Sequence, residues 1–239
     1  MGNYSKKIAI MQPYIFPYLG YFQLINAVDE FVFYDDVNFI KRGWINRNRI
    51  LYNNHEKLIT FPCIKPSQNK LIKDIVIDLK QKEYSNLIET LKQAYNKAPF
   101  FHKIYPMIES ILNSKVDTIS DLAIKSVSVF CDFLEIDTEL KISSVDYSDS
   151  VGEKRVERLV NITKKSNSYD YINALGGKML YDKSEFKNKG INLYFLKPNL
   201  KEYNQFEGNN FVSGLSMIDI MMFNDLNVIK GMLENYTIE

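Results

Sequence analysis

The chain is poor in the residues that make metal and redox sites. Among 239 residues it has two cysteines, two histidines and one tryptophan. Cys63 and Cys131 lie far apart in apolar surroundings, so two small core thiols are expected rather than a bridge, in keeping with a reducing, cytoplasmic location. His55 and His102 stand in no ligand spacing with Cys, Asp or Glu, and no metal is expected. Net charge is nearly absent: 30 basic and 29 acidic residues leave +1, a field too weak to draw the chain onto nucleic acid or an anionic membrane. No run reaches the roughly 18 to 20 apolar residues of a membrane span, and Met1 to Lys7 carry no signal-type apolar stretch. No repeat, low-complexity segment or long linker divides the sequence, so residues 1–239 are read as one domain.

What the chain does have is concentrated near its start. Gln12-Pro-Tyr-Ile-Phe-Pro-Tyr-Leu-Gly-Tyr21 is followed by Phe31-Val-Phe-Tyr-Asp-Asp36 and Trp44-Ile-Asn-Arg-Asn-Arg49. Ile8 to Met11 reads as a buried first strand. Pro13 and Pro17 forbid a helix until about Tyr18, because each removes a donor and biases its predecessor to extended geometry. Tyr21, Leu24, Ile25 and Val28 then follow helical spacing, and Phe31 to Tyr34 is apolar on both faces, as a central parallel strand should be. Strand, loop, helix, strand implies a parallel pair with a crossover, and ligands of such sheets bind beyond the carboxyl ends of the strands.

Further strands are expected at Leu58–Pro62, after the turn-forming Asn53-Asn54, and at Ile72–Ile77, joined by the polar loop Lys65–Lys70. A helical insertion of about residues 81–135 follows. Tyr84, Leu87, Ile88, Leu91 and Tyr95 form one stripe, ended by Pro99. Ile104, Met107, Ile108, Ile111 and Leu112 form a second, and Leu122, Ala123, Val127, Phe130 and Phe133 a third. The sheet pattern then returns: a strand at Glu139–Ser143, a helix at Glu153–Lys165 and strands at Tyr169–Asn173 and Ile191–Phe195. Leu215 opens a last helix with Ser216 as N-cap and Asp219 placed for a capping box. The fold class is therefore α/β: a Rossmann-like, mostly parallel sheet flanked by helices, with a helical insertion in the middle of the chain.

Several residues carry candidate chemistry. Asp35 and Asp36 follow a central strand, where a carboxylate can orient an amine or hydroxyl or act as general base, or simply cap the strand. Arg47 and Arg49 share one face of an extended segment and offer forked donors to phosphate or carboxylate; Asn46 and Asn48 share the other, with donors suited to sugar hydroxyls. Trp44 offers a flat stacking surface. Gly176-Gly177, between a strand and a helical stretch, suits either an anion or a turn of positive φ. Tyr18-Leu-Gly-Tyr21 occupies the place where nucleotide-activating α/β enzymes carry His-x-Gly-His, with both imidazoles replaced by phenols that donate hydrogen bonds without charge.

Taken together, Ile10 to Gln23, Asp35-Asp36, Arg42 to Ile50, Asn96 to Phe101, Gly176 to Tyr181 and Leu215 to Asp219 resemble the WbqC-like family, in order and over nearly the whole chain. Tyr171-Ile-Asn-Ala-Leu-Gly-Gly177 departs from the Ser-Gly-Pro/Gly-Gly loop expected there. The resemblance implies a place in surface polysaccharide (O-antigen) biosynthesis. Its leading expectation is a transferase adding an acyl or aminoacyl group to the amine of a nucleotide-linked amino sugar. Asp35 or Asp36 would then orient and deprotonate the amine, and Tyr18 and Tyr21 would assist catalysis. Substrate would be held by Gln12, Tyr14, Trp44, Asn46, Arg47, Asn48, Arg49, Gly176, Gly177, Ser216 and Asp219. No resident cofactor is implied; the co-reactant would be an acyl thioester on CoA or an acyl carrier protein, and a homodimer is allowed. Nucleotidyl transfer with carboxylate adenylation, and non-catalytic glycan or nucleotide binding, are the alternatives.

Overall fold

In a computed structural model that describes residues 5–206 and 210–239, the chain begins with β1 (Lys7–Met11), α1 (Leu19–Asn26) and β2 (Glu30–Phe33). Met1 to Tyr4 of the N-terminal stretch lie outside the described residues. A hairpin of β3 (Arg47–Tyr52) and β4 (His55–Thr60) follows, then the helices α2 (Lys82–Tyr95), α3 (Phe101–Leu112) and α4 (Ile119–Leu134). The remainder is β5 (Glu139–Ile142), α5 (Ser143–Asp146), α6 (Arg155–Lys165), β6 (Asp170–Ala174), α7 (Lys183–Asn188), β7 (Asn192–Pro198), α8 (Met217–Phe223), α9 (Leu226–Leu233) and β8 (Tyr236–Ile238). Six strands form one sheet in the order β5-β2-β1-β6-β7-β8, with only β8 antiparallel to its neighbour. Counted along that sheet the order is 3-2-1-4-5-6, the doubly wound arrangement that reverses direction beside the first strand.

Alternation along each strand divides the core into two layers. Ile8 and Ile10 face one side with Val32, Tyr171, Leu193 and Phe195, covered by Leu159 and Ile162 of α6 and Phe186 of α7. Ala9 faces the other side with Phe31, Phe33, Ile172 and Leu196, where α1, the helical insertion, the hairpin, α8 and α9 pack. Because both faces are covered, the middles of β1 and β2 are apolar, and Glu30 at the start of β2 is buried with its carboxylate held by Lys6 at 2.7 Å and by the Tyr147 hydroxyl.

Turn and cap chemistry sets the element ends. Asn53 and Asn54 both adopt positive φ, 49° and 66°, as a two-residue hairpin of right-handed strands requires. Thr118 and Asp121 form a reciprocal capping box at α4. The Ile72–Ile77 stretch is not a strand: Ile72 to Asp74 make a 3-10 turn, and Val76 and Ile77 form only isolated bridges. Ile72, Ile75 and Ile77 are buried, a mixed spacing of three and two that a single strand cannot satisfy. The expected capping box at α8 is half formed. Ser216 Oγ accepts from the Ile218 amide, whereas Asp219 turns into the core.

Asp219 joins three parts of the chain, accepting from Tyr95 at 2.9 Å, Tyr203 at 2.6 Å and Gln205 at 2.8 Å. Asp219→Ala leaves these donors unpaired in a dry environment and should lower stability by about 2 to 4 kcal/mol, read as a reduced urea midpoint at unchanged slope.

Candidate functional site

β1 and β6 lie side by side but pair only at Lys7 with Asp170 and Ile8 with Tyr171. Beyond Ile8 they no longer pair, and a cleft of about 1260 Å³ opens at their carboxyl ends, at the reversal of strand order. Met11 and Gln12 leave β1 into this cleft, and Asn173 and Ala174 leave β6. α1 reaches it from one face of the sheet and α6 from the other.

The loop between β1 and α1 is held from three directions. Asn48 Nδ2 donates to the carbonyls of Ile15 and Phe16 at 2.9 and 2.6 Å, Ser216 Oγ donates to Phe16 at 2.7 Å, and the Phe16 amide donates to Ser126 Oγ at 3.1 Å. Phe16 itself has φ 43°, a strained value for a side chain of its size. Tyr14, Tyr18 and Tyr21 all line the cleft. Burial raises the pKa of each phenol, most strongly at Tyr21, so all three stay protonated at neutral pH. Tyr21 spends its proton on the Gln12 carbonyl at 2.9 Å. The Tyr18 ring lies against Gly20, where an added Cβ would stand 2.5 Å from it and 2.7 Å from Pro198.

Neither aspartate expected to act as base offers a free carboxylate to the cleft. Asp35 is absent from the cleft lining, and its carboxylate accepts from Ser144 Oγ at 2.7 Å, the Ser144 amide at 3.0 Å and Ser143 Oγ at 3.0 Å. Asp36 borders the cleft, yet its side chain is 0% exposed: it is held by Ser143 Oγ at 2.6 Å and by Arg158 Nη2. The reason is positional, since β5 runs parallel to β2 and delivers Ser143 and Ser144 against the strand end. Arg158, a residue the sequence reading passed over, is therefore the group presented to the cleft, with its guanidinium 4.9 Å from the Tyr34 ring. Its signal was an arginine one turn before the buried Ile162, on the inward stripe of an amphipathic helix.

The hairpin supplies Asn48 and Arg49 to the cleft, and the turn before it supplies Trp44. Arg49 bonds Glu56 and the Gly214 carbonyl, each at 3.0 Å, and lies 5.2 Å from the Trp44 ring. Arg47 and Asn46 are not brought there: Arg47 donates to the Gly43 carbonyl at 3.1 Å and Asn46 to that of Phe61 at 2.9 Å. Ser216 and Asp219 are buried away from the cleft in the contacts given above. Gly176 and Gly177 do line it, in a 3-10 turn over Leu175–Met179, and neither has positive φ. Gly177 is small because Asn173 packs on it, 2.7 Å from where a Cβ would stand; at Gly176 the space is open. Cys63 and Cys131 are free thiols outside the cleft, each pushed up to about 12 by burial. Among the described residues no group of three or more His, Cys, Asp and Glu could hold a metal, and no helix is long and apolar enough to cross a membrane.

A doubly wound sheet with a largely apolar, phenol-lined cleft at its strand reversal, beside the starts of α1 and α6, defines an α/β protein whose candidate site lies where such sheets bind ligands. More particularly, the chain belongs to the WbqC-like protein family, whose family model matches residues 12–230. It is similar to the uncharacterized protein Rv1507c of Mycobacterium tuberculosis (strain ATCC 25618 / H37Rv), 30% identical over 219 residues, which cover 90% of this chain and 93% of that protein. No solved structure matches the chain.

The Asp36–Arg158 pair is desolvated on both sides, so removing one partner should cost more than removing both. Asp36→Ala is expected to lower unfolding free energy by about 3 to 5 kcal/mol. Combined with Arg158→Ala it should cost at least about 1 kcal/mol less than the sum of the single changes, measured by a double-mutant cycle in urea.

Proposed function

We propose that this protein is a biosynthetic transferase of surface polysaccharide (O-antigen) assembly that adds an acyl or aminoacyl group to the amine of a nucleotide-linked amino sugar bound in the cleft. Membership of the WbqC-like family supports the biosynthetic setting. The observation that carries the reaction type is the composition of the cleft wall: among the described residues no Ser, Thr, Cys, Lys or His lines it. These are the usual nucleophiles of acyl-enzyme chemistry, and the reading is therefore of direct transfer between two bound substrates.

In this reading the amine nitrogen attacks the carbonyl carbon of an acyl thioester carried by CoA or a carrier protein. A C–N bond forms, the C–S bond breaks, and the sulfur leaves as thiolate. Tyr14 and Tyr18, kept neutral by burial, donate to the oxyanion of the tetrahedral intermediate. Glu153, the exposed carboxylate of the cleft lining, held by Asn161 at 2.7 Å, takes the amine proton and passes it to the thiolate. Asp35 and Asp36 position this machinery: Asp36 fixes Arg158, and Asp35 fixes the start of α5.

Incubation of the protein with a panel of nucleotide amino sugars and CoA-linked or carrier-linked acyl donors should give a product heavier by one acyl group, with no acylated protein in the intact mass spectrum. Tyr18→Phe should slow the reaction about 10²-fold, the usual cost of one oxyanion donor. Absence of any acylated sugar across the panel overturns the reading. Pyrophosphate release from a nucleoside triphosphate would assign nucleotidyl transfer instead.

A further inference from the structure

A nucleotide-linked substrate brings a diphosphate, and the cleft offers it several cationic or amide-lined positions. The first turn of α1 is covered by the Tyr18 ring packed on Gly20, which screens the amides a phosphate would use there. On the hairpin side Arg49 is tied through Nη1 to Glu56 and through Nη2 to Gly214, with its buried Nε left without a partner among the described residues. The α6 side combines a helix start with two arginines. Helix α6 begins at Arg155, is 11 residues long, and its N-cap residue Lys154 makes no side-chain cap, so its first amides are not taken up by that side chain. Arg155 is exposed on the cleft, and Arg158, one turn on, is buried and fixed by Asp36 and by Ser150 Oγ at 3.4 Å. Tyr34 and Tyr181 complete this wall. Burial raises both phenols, so they remain donors. The carboxylates here are Asp36, paired with Arg158, and Glu153, bonded to Asn161.

We infer that the α6 wall, formed by Arg155, Arg158, Tyr34 and Tyr181, is the diphosphate subsite, and that Arg49 is a strap between the hairpin and the segment around Gly214. The inference rests on the reading of the substrate as nucleotide-linked and specifies which end of the cleft takes the phosphates. A guanidinium held in place by a buried carboxylate loses little freedom on gripping an anion, and two neutral phenols beside it add donors with no charge to desolvate.

Calorimetric titration of the full chain with inorganic pyrophosphate, followed in parallel by emission of Trp44, tests it without an acyl donor or turnover. The wild type should bind with little change in Trp44 emission. Arg155→Ala, at an exposed position that leaves folding intact, should weaken binding about tenfold or more, and Arg158→Lys, which keeps the charge but loses the fork, should weaken it as well. Arg49→Ala should bind within about twofold of wild type, the change expected where no phosphate contact is lost. No binding by the wild type, wild-type binding by Arg155→Ala, or a loss in Arg49→Ala as large as that in Arg155→Ala would each overturn the assignment. Because pyrophosphate binding and acyl transfer are read separately, a protein that binds here yet acylates nothing keeps the subsite and loses the transferase reading.

Discussion

The loop from Gln12 to Tyr18 is the constraint on which the rest of the structure depends. Two prolines remove donors and block helix, and Phe16 is held at positive φ, so the segment cannot satisfy its own backbone groups. Its partners come from distant parts of the chain: Asn48 of the hairpin, Ser126 of α4 and Ser216 at the start of α8. Each such bond contributes only about 1 kcal/mol net, but leaving a buried carbonyl unpaired costs about 1 to 3. The asymmetry is what matters. Hairpin, helical insertion and C-terminal helices must all be docked before the loop is satisfied, and the same docking sets the phenols in the cleft.

A second constraint acts across the sheet. An exposed pair such as Lys189 with Glu157 adds little, because water screens it on both sides. Asp36 and Arg158 are of another kind, because both are out of water and each is tolerable only with the other in place. Their pairing need not add net stability over two apolar residues. What it does is fix one arginine in one orientation at the edge of the cleft and bind α6 to the end of β2.

How far the sequence discloses this can be judged residue by residue. The parallel sheet, the insertion and the location of the cleft follow from period and order: Ile8 to Met11, Phe31 to Tyr34 and the three helical stripes are strong local signals. The hairpin turn was legible because Asn53-Asn54 favours its backbone. The roles of Asp36 and Asp219 were not, because a carboxylate at a strand end or in a first turn looks the same whether it meets a ligand, an arginine from 122 positions further on, or two tyrosines. Arg158 was hidden for the complementary reason, since its partner is fixed only once β5 and α6 have been laid beside β2 and β1. Segments around α9 and β8 are short and lack sustained periodicity, so tertiary packing defines them more than local pattern does.

The phenols at positions 18 and 21 constrain the chemistry more tightly than the missing imidazoles alone suggest. An imidazole can carry a proton to and from a reacting group near neutral pH, whereas a phenol raised further by burial can only donate. Tyr21 has even that capacity occupied by the Gln12 carbonyl, so it serves the loop, and in the proposed transfer Tyr18 and Tyr14 meet the developing negative charge. Two neutral donors suit an oxyanion carrying a single charge better than a transferring phosphoryl group, whose spread charge calls for cations. The cations of this cleft stand elsewhere, at Arg49, Arg155 and Arg158. Those cations come from α6 and the hairpin, whereas Tyr14 and Tyr18 come from the loop that leads into α1.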